Sequence, residues 1–200
     1  HFKSSVRQAP RIAERGEPGE ERCVELQIKM IADVGLVGLP NAGKSTLLSR
    51  LSRAHPKIAD YPFTTLSPNL GVASIHHKEF IFADIPGLIE GSHTGKGLGH
   101  EFLRHVERTR VLVHLVDPMG FNGKSPRDNI GIIRRELKKY SAELAKKPEI
   151  LVVNKQDLTG ARDVFHAVRK SHPQTPVLAI SGVSGEGIQK LLEKVHTVLE

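Results

Sequence analysis

One cysteine, Cys23, stands in a chain of 200 residues. A lone cysteine excludes an internal disulfide and fits a reducing compartment. No apolar run approaches the roughly 18 residues of a membrane span, so no transmembrane helix is expected. No secretory leader opens the chain, and a cytoplasmic protein is expected. The chain starts at His1 without a Met, as expected of a piece of a longer protein. Eleven histidines show no metal-like spacing. Their one adjacent pair, His76-His77, reads as alternating faces of a strand. No internal repeat is visible. At 38% hydrophobic over this length, the chain can bury one α/β core.

What is present is concentrated in three short motifs, each at the end of an apolar run. The first is Gly38-Leu39-Pro40-Asn41-Ala42-Gly43-Lys44-Ser45, which follows Val34 to Val37 and fits GxxxxGK[ST]. Glycines let the backbone curl so that successive N–H groups form an anion nest. Asn41, Ala42, Gly43, Lys44, Ser45 and Thr46 are the expected phosphate contacts. Lys44 brings a point charge to the β- and γ-phosphates, and the Ser45 hydroxyl is placed for Mg²⁺. A helix starting near Gly43 adds its N-terminal dipole.

The second motif, Asp84-Ile85-Pro86-Gly87, closes the β-prone run Glu79 to Ala83. Asp84 would hold Mg²⁺ through a water, and the Gly87 N–H would meet the γ-phosphate. Gly91, Gly95, Gly97 and Gly99 follow, a segment suited to ordering in one nucleotide state and relaxing in the other.

The third motif, Asn154-Lys155-Gln156-Asp157, follows Ile150 to Val153. An ionised Asp157 only accepts hydrogen bonds. Guanine offers it two donors, N1–H and the exocyclic amine, whereas adenine offers none on that edge. Asn154 can bond the base and brace the phosphate loop, and the Lys155 stem can cover the ring. Ser181-Gly182, after the run Pro176 to Ile180, brings backbone toward the guanine O6. GTPases usually carry Ser-Ala there, so Gly182 makes this loop less rigid. Together the motifs imply a domain that binds GTP and GDP with Mg²⁺.

Periodicity sets the frame. Strands are expected near 26–37, 69–76, 79–85, 111–116, 150–153 and 176–180. Helices are expected over 44–53, 99–108, 128–146, 161–171 and 186–199. The alternation implies an α/β fold, a mostly parallel six-stranded sheet with helices on both faces. Residues 1–25, turn-rich and charged, read as a tail or the remnant of a preceding domain, leaving 26–200 as the nucleotide-binding domain. Net charge is +7, and residues 101–150 hold eleven Lys/Arg against seven Asp/Glu. Arg134, Arg135, Lys138, Lys139, Lys146 and Lys147 are expected on the outer face of one helix, opposite Ile130, Ile133, Leu137, Tyr140 and Leu144. A solvated face or contact with an RNA-rich partner would account for them.

The stretch from Ile58 to Gly71, with Tyr61-Pro62-Phe63-Thr64-Thr65 at its centre, resembles the switch I region of the Obg GTPases. So do Asp84 to Gly91, Gly97-Leu98-Gly99 and Phe102 to Thr109. Pro40 to Thr46 is similar too, and Phe2 to Glu20 is similar to the end of the Gly-rich domain that precedes the G domain in that family. The resemblance implies a Ras-like P-loop NTPase G domain and a role in large-ribosomal-subunit assembly, with the subunit or its rRNA as partner. It implies a bacterial-type protein, and a monomer is expected. Thr65 takes the switch I threonine role, a Mg²⁺ ligand in the GTP state. Lys44, Thr65, Gly87 and Asn41 are then the candidate catalytic residues.

Ras-like enzymes carry a water-orienting Gln directly after DxxG. Leu88 stands there and cannot bond water, so slow turnover is expected. Asn41 resembles the asparagine with which some such GTPases hold K⁺ near the phosphates, in place of an arginine finger. It is equally a turn-friendly residue. Two alternatives stay open: a nucleotide-binding scaffold with negligible hydrolysis, and another GTPase of the translation-factor class.

Overall fold

The computed structural model describes residues 16–17, 19–21, 32–52, 69–85 and 109–200. Six strands form one sheet: β1 (Val34–Val37), β2 (Leu70–Ile75), β3 (Lys78–Asp84), β4 (Val111–Val116), β5 (Glu149–Val153) and β6 (Val177–Ala179). Their order is β2-β3-β1-β4-β5-β6. Only β2 and β3 pair antiparallel; the other four neighbouring pairs are parallel. Among the described residues four α-helices accompany them: α1 (Lys44–Ser52), α2 (Pro126–Tyr140), α3 (Ala161–Ser171) and α4 (Ile188–Leu199). The expected architecture is present.

Strand alternation divides the core between two faces. Val34, Leu36, Val111, Val113, Leu115, Ile150 and Val152 point to one face. There they meet Leu47, Leu48 and Leu51 of α1 and Leu191, Leu192 and Val195 of α4. Val37 and Leu112 point to the other face and pack on Ile132, Ile133 and Leu137 of α2, while Leu151 and Val153 meet Val168 of α3. A sheet buried on both sides needs the near-continuous apolar strands seen here.

Two expectations are corrected. The helix expected over 128–146 starts earlier and stops sooner. Ser125 and Asp128 form a capping box, with Pro126 in the first turn. At the other end Ser141 turns extended, and its hydroxyl accepts the Leu144 N–H. That local bond competes with the helix, and Leu144–Lys146 forms a separate 3₁₀ turn. Lys146 and Lys147 therefore leave the α2 face. On α2 itself Arg135, Lys138 and Lys139 are exposed, but Arg134 is half-buried. The second correction concerns His76-His77. They are the two-residue turn of the β2–β3 hairpin, with φ of 49° and 62°, not residues on alternate faces of a strand. Two positive φ values match the right-handed strand twist. The expected residues 26–31 of the first strand, and the helix over 99–108, lie outside the described residues.

Arg134 is half-buried because it serves a buried carboxylate. Its Nε and Nη2 donate to Glu149 Oε2 at 2.9 and 2.6 Å. His114, fully buried in β4, faces Glu149 Oε1 at 2.8 Å from its Nδ1. Burial alone would raise the Glu149 pKa, but bonds from His114 and Arg134 win and hold it at about 2.

Candidate functional site

The conserved geometry of open α/β sheets puts ligand sites at the carboxyl ends of the strands, where strand order reverses. Here β1 lies between β3 and β4, and the three motifs leave the sheet at that end. After β1 the chain curls through Gly38 to Gly43 and enters α1, whose first bond runs from the Leu47 N–H to the Gly43 carbonyl at 2.9 Å. Gly43 has φ 93°, and a Cβ there would meet Asn154 Nδ2 at 2.2 Å. Only glycine fits both constraints. Asn41 is exposed at the loop tip with φ 63°, a backbone state asparagine tolerates.

The phosphate end is electrostatically unfinished. Lys44 Nζ donates to the Gly38 carbonyl at 3.1 Å. Burial pushes its ammonium below the usual lysine range, against the opposing pull of Asp84. Asp84, at the end of β3, is 8% exposed. Burial raises its carboxyl, opposed by Lys44 and by the Ser45 hydroxyl 3.4 Å from Oδ2. Its other oxygen, Oδ1, is buried without a protein partner. An orphaned carboxylate oxygen beside a hydroxyl is a hard-oxygen donor pair of the kind Mg²⁺ takes. Among the described residues no group of three His, Cys, Asp or Glu could hold a metal.

The base end is finished. Asn154, buried after β5, donates from Nδ2 to the Ala42 carbonyl at 2.9 Å and accepts the Gly182 N–H at 3.0 Å. One side chain thus ties the phosphate loop to the loop after β6. Lys155, with φ 55°, pairs with Asp117 at 2.6 Å, and Asp117 in turn caps the Met119 N–H at 3.0 Å. Asp157 Oδ1 accepts the Ser181 hydroxyl at 2.6 Å, which holds its carboxyl below the usual range. Thr46 stands close to Gly182: its Cγ2 lies 3.6 Å from where an alanine Cβ would sit there.

The fold therefore brings together Asn41, Ala42, Gly43, Lys44, Ser45, Thr46, Asp84, Asn154, Lys155, Asp157, Ser181 and Gly182. Thr65, Gly87 and Leu88 lie outside the described residues. Sequence reasoning missed Asp117, although an acid directly after the β4 run repeats the signal of Asp84. It also missed Arg50, for which no local signal exists. A groove of about 1130 Å³ lies elsewhere, along β6 between α3 and α4. Chemistry rather than volume marks the site.

A phosphate loop, a metal-competent Ser–Asp pair and a carboxylate set for a base, all on this sheet, define a P-loop nucleotide-binding G domain. Comparison with known proteins gives the family. Residues 33–155 match the 50S ribosome-binding GTPase family. GTPase Obg of Elusimicrobium minutum is 54% identical over 99% of this chain, which covers 43% of that protein. GTPase Obg of an Anaeromyxobacter species is 55% identical over the whole chain, covering 58% of it. The chain belongs to the 50S ribosome-binding GTPase family, as a G domain of the Obg type, and spans about half the length of these relatives. Among solved structures, the G domain of the Thermotoga maritima FeoB iron transporter superposes with a TM-score of 0.62 at 23% identity, over 84% of this chain and 98% of that one. The cytosolic domain of Legionella pneumophila FeoB gives 0.60 at 16%, over 82% and 67%. At that identity the likeness is one of fold. Among the described residues no helix is long and apolar enough to cross a membrane.

Proposed function

We propose that this chain is the GTP-operated switch of an Obg-type protein. It binds GTP and GDP, hydrolyses GTP slowly, and acts as a cytoplasmic monomer on the assembling large ribosomal subunit or its rRNA. The observation that carries the nucleotide reading is the Asp157–Ser181 bond. It keeps a carboxylate ionised at the loop that Asn154 links to the phosphate loop. An ionised carboxylate there pairs with guanine N1–H and the exocyclic amine and rejects adenine.

Each residue then has a role. Lys44 and the loop N–H groups neutralise the β- and γ-phosphates. Ser45 and Asp84 hold Mg²⁺, with Thr65 joining them in the GTP state and Gly87 meeting the γ-phosphate. Bound Mg²⁺ neutralises charge on the phosphate oxygens. Asn154 braces the phosphate loop, and Lys155 covers the base. Residues 1–25 belong to the end of a preceding domain, and 26–200 form the G domain. Leu88 offers no group to orient water, which keeps turnover slow. In this reading Asn41, exposed at the loop tip, shares K⁺ with the nucleotide.

Titration with fluorescent GDP and ADP tests the base: tight GDP binding and no measurable ADP binding are expected, and equal affinities would overturn the reading. Single-turnover hydrolysis in KCl and NaCl at equal ionic strength tests the cation. Faster turnover in K⁺, lost in Asn41→Ala, is expected; matched rates with GTP bound in both salts leave Asn41 a turn residue.

A further inference from the structure

We propose that Arg50 is a positioning residue for guanine recognition, reaching from α1 to fix the 181–185 loop against the base site. The inference rests on the reading that the base lies at Asp157.

Arg50 Nη1 donates to the Val183 carbonyl at 3.1 Å, and Nη2 donates to the Ser184 carbonyl at 2.8 Å. The planar fork spans two successive carbonyls, which a lysine ammonium cannot match. The next residue, Gly185, has φ 92°, and a Cβ there would meet Nη2 at 2.4 Å. The loop is thus shaped around the guanidinium. The loop then turns back on the base-reading residues. Its Ser184 N–H donates to Ser181 Oγ at 3.0 Å, and the same hydroxyl donates to Asp157 at 2.6 Å. The Gly185 N–H donates to the Ser181 carbonyl at 2.8 Å. Gly182, one residue on, donates to Asn154. Displacing carbonyls 183 and 184 therefore displaces the hydroxyl that orients Asp157.

Ser181 and Gly182 are buried and held by Asp157 and Asn154, but the tip of the loop at Val183 and Ser184 is exposed. Val183 is 69% exposed and gives almost no packing. Gly182 adds backbone freedom at the point where a Cβ would find ordinary contacts, nearest at 3.6 Å. An exposed loop tip next to a specificity residue is held in place by an anchor on a rigid element. Helix α1 is that element, and it also starts at the phosphate loop. Arg50 lies six residues beyond Lys44, about 9 Å along the same helix. One helix thus sets the spacing between the phosphate-binding and base-reading halves of the site.

The test measures GDP and inosine diphosphate affinity by competition with a fluorescent GDP. Inosine diphosphate lacks the exocyclic amine, so the ratio of affinities reads the Asp157 geometry. Arg50→Met is expected to weaken GDP about tenfold, the loss of two charge-assisted bonds to a solvent-exposed loop. Inosine diphosphate should weaken less, narrowing the ratio. Arg50→Lys should fall between, and it serves as the deciding variant if Arg50→Met does not fold. Gly182→Ala added to Arg50→Met should widen the ratio again, because it stiffens the loop by another route. An unchanged ratio in the Arg50 variants, with the ratio altered in Asp157→Asn, overturns the role of Arg50. Unchanged GDP affinity in Asp157→Asn overturns the base reading beneath it.

Discussion

Asp84 and Glu149 are both largely buried carboxylates, at opposite ends of their strands, and they meet burial differently. Glu149 begins β5 and has three donor bonds from His114 and Arg134 on its two oxygens. Its pKa falls to about 2. Asp84 ends β3 with one long contact to Ser45 and a bare Oδ1, and its pKa rises. The difference sets a self-satisfied cluster apart from the proposed Mg²⁺ site. A buried charge that the protein satisfies itself is costly to break, while one left short of partners is suited to completion by a ligand. Asp157 shows a third arrangement: exposed to solvent, and tuned by one neighbouring hydroxyl.

The largest expected effect breaks the finished cluster. Glu149→Gln removes the charge facing Arg134 and His114 and should cost about 3–5 kcal/mol in urea unfolding. The same pairing has a pH signature. Because the folded pKa lies below the ordinary 4.5, the contribution is complete above pH 4.5 and is lost as pH falls toward 2. It amounts to about 3 kcal/mol. Acid titration of stability should show that loss in the parent chain and a shallower one in Glu149→Gln. Asp157→Asn comes next. It replaces an acceptor with an amide and should weaken GDP about 10²-fold, with xanthosine diphosphate gaining; direct titration of both nucleotides reads it. Asp84→Asn should act in two directions. The nucleotide-free chain should gain about 1 kcal/mol by losing an underbonded buried charge, and Mg²⁺ should no longer strengthen GTP binding. A loss of apo stability would place Asp84 with Glu149 instead. The smallest effect is Gly182→Ala in the parent chain. The added Cβ finds room, and the stiffer unfolded chain should give roughly 0.4–1 kcal/mol of thermal stability.

Much of this was legible because it is local. Each phosphate- and base-binding motif is contiguous and sits at the end of an apolar strand, so spacing alone implied its place on the sheet. Strand and helix positions followed from alternation and from the Leu191, Leu192 and Val195 stripe. Partnerships across long sequence separations were not legible. Nothing near Arg50 announces Val183, and nothing near Glu149 announces His114. The length of α2 was misjudged because the apolar period runs on through Leu144. What ends the helix is a single serine hydroxyl, whose bond to the Leu144 N–H is invisible to periodicity. His76-His77 was misread for a related reason, since neither residue is the glycine or asparagine that usually marks such a turn.

That histidine turn has a consequence for how the chain assembles. β2 and β3 are the one pair in the sheet joined by a two-residue connection, with Ile75 opposite Lys78. Every other pairing waits for a crossover to be closed first. Hairpins form in about 1–10 μs, so this one can be in place before the parallel strands dock on it. β3 then offers its free edge to β1, with Asp84 already beside the position Leu36 will take. The two left-handed histidines should slow that first step, since Asn and Gly fit such a turn better. Asn-Gly in their place should quicken refolding and leave the unfolding rate nearly unchanged, the kinetic mark of a turn that belongs to the nucleus.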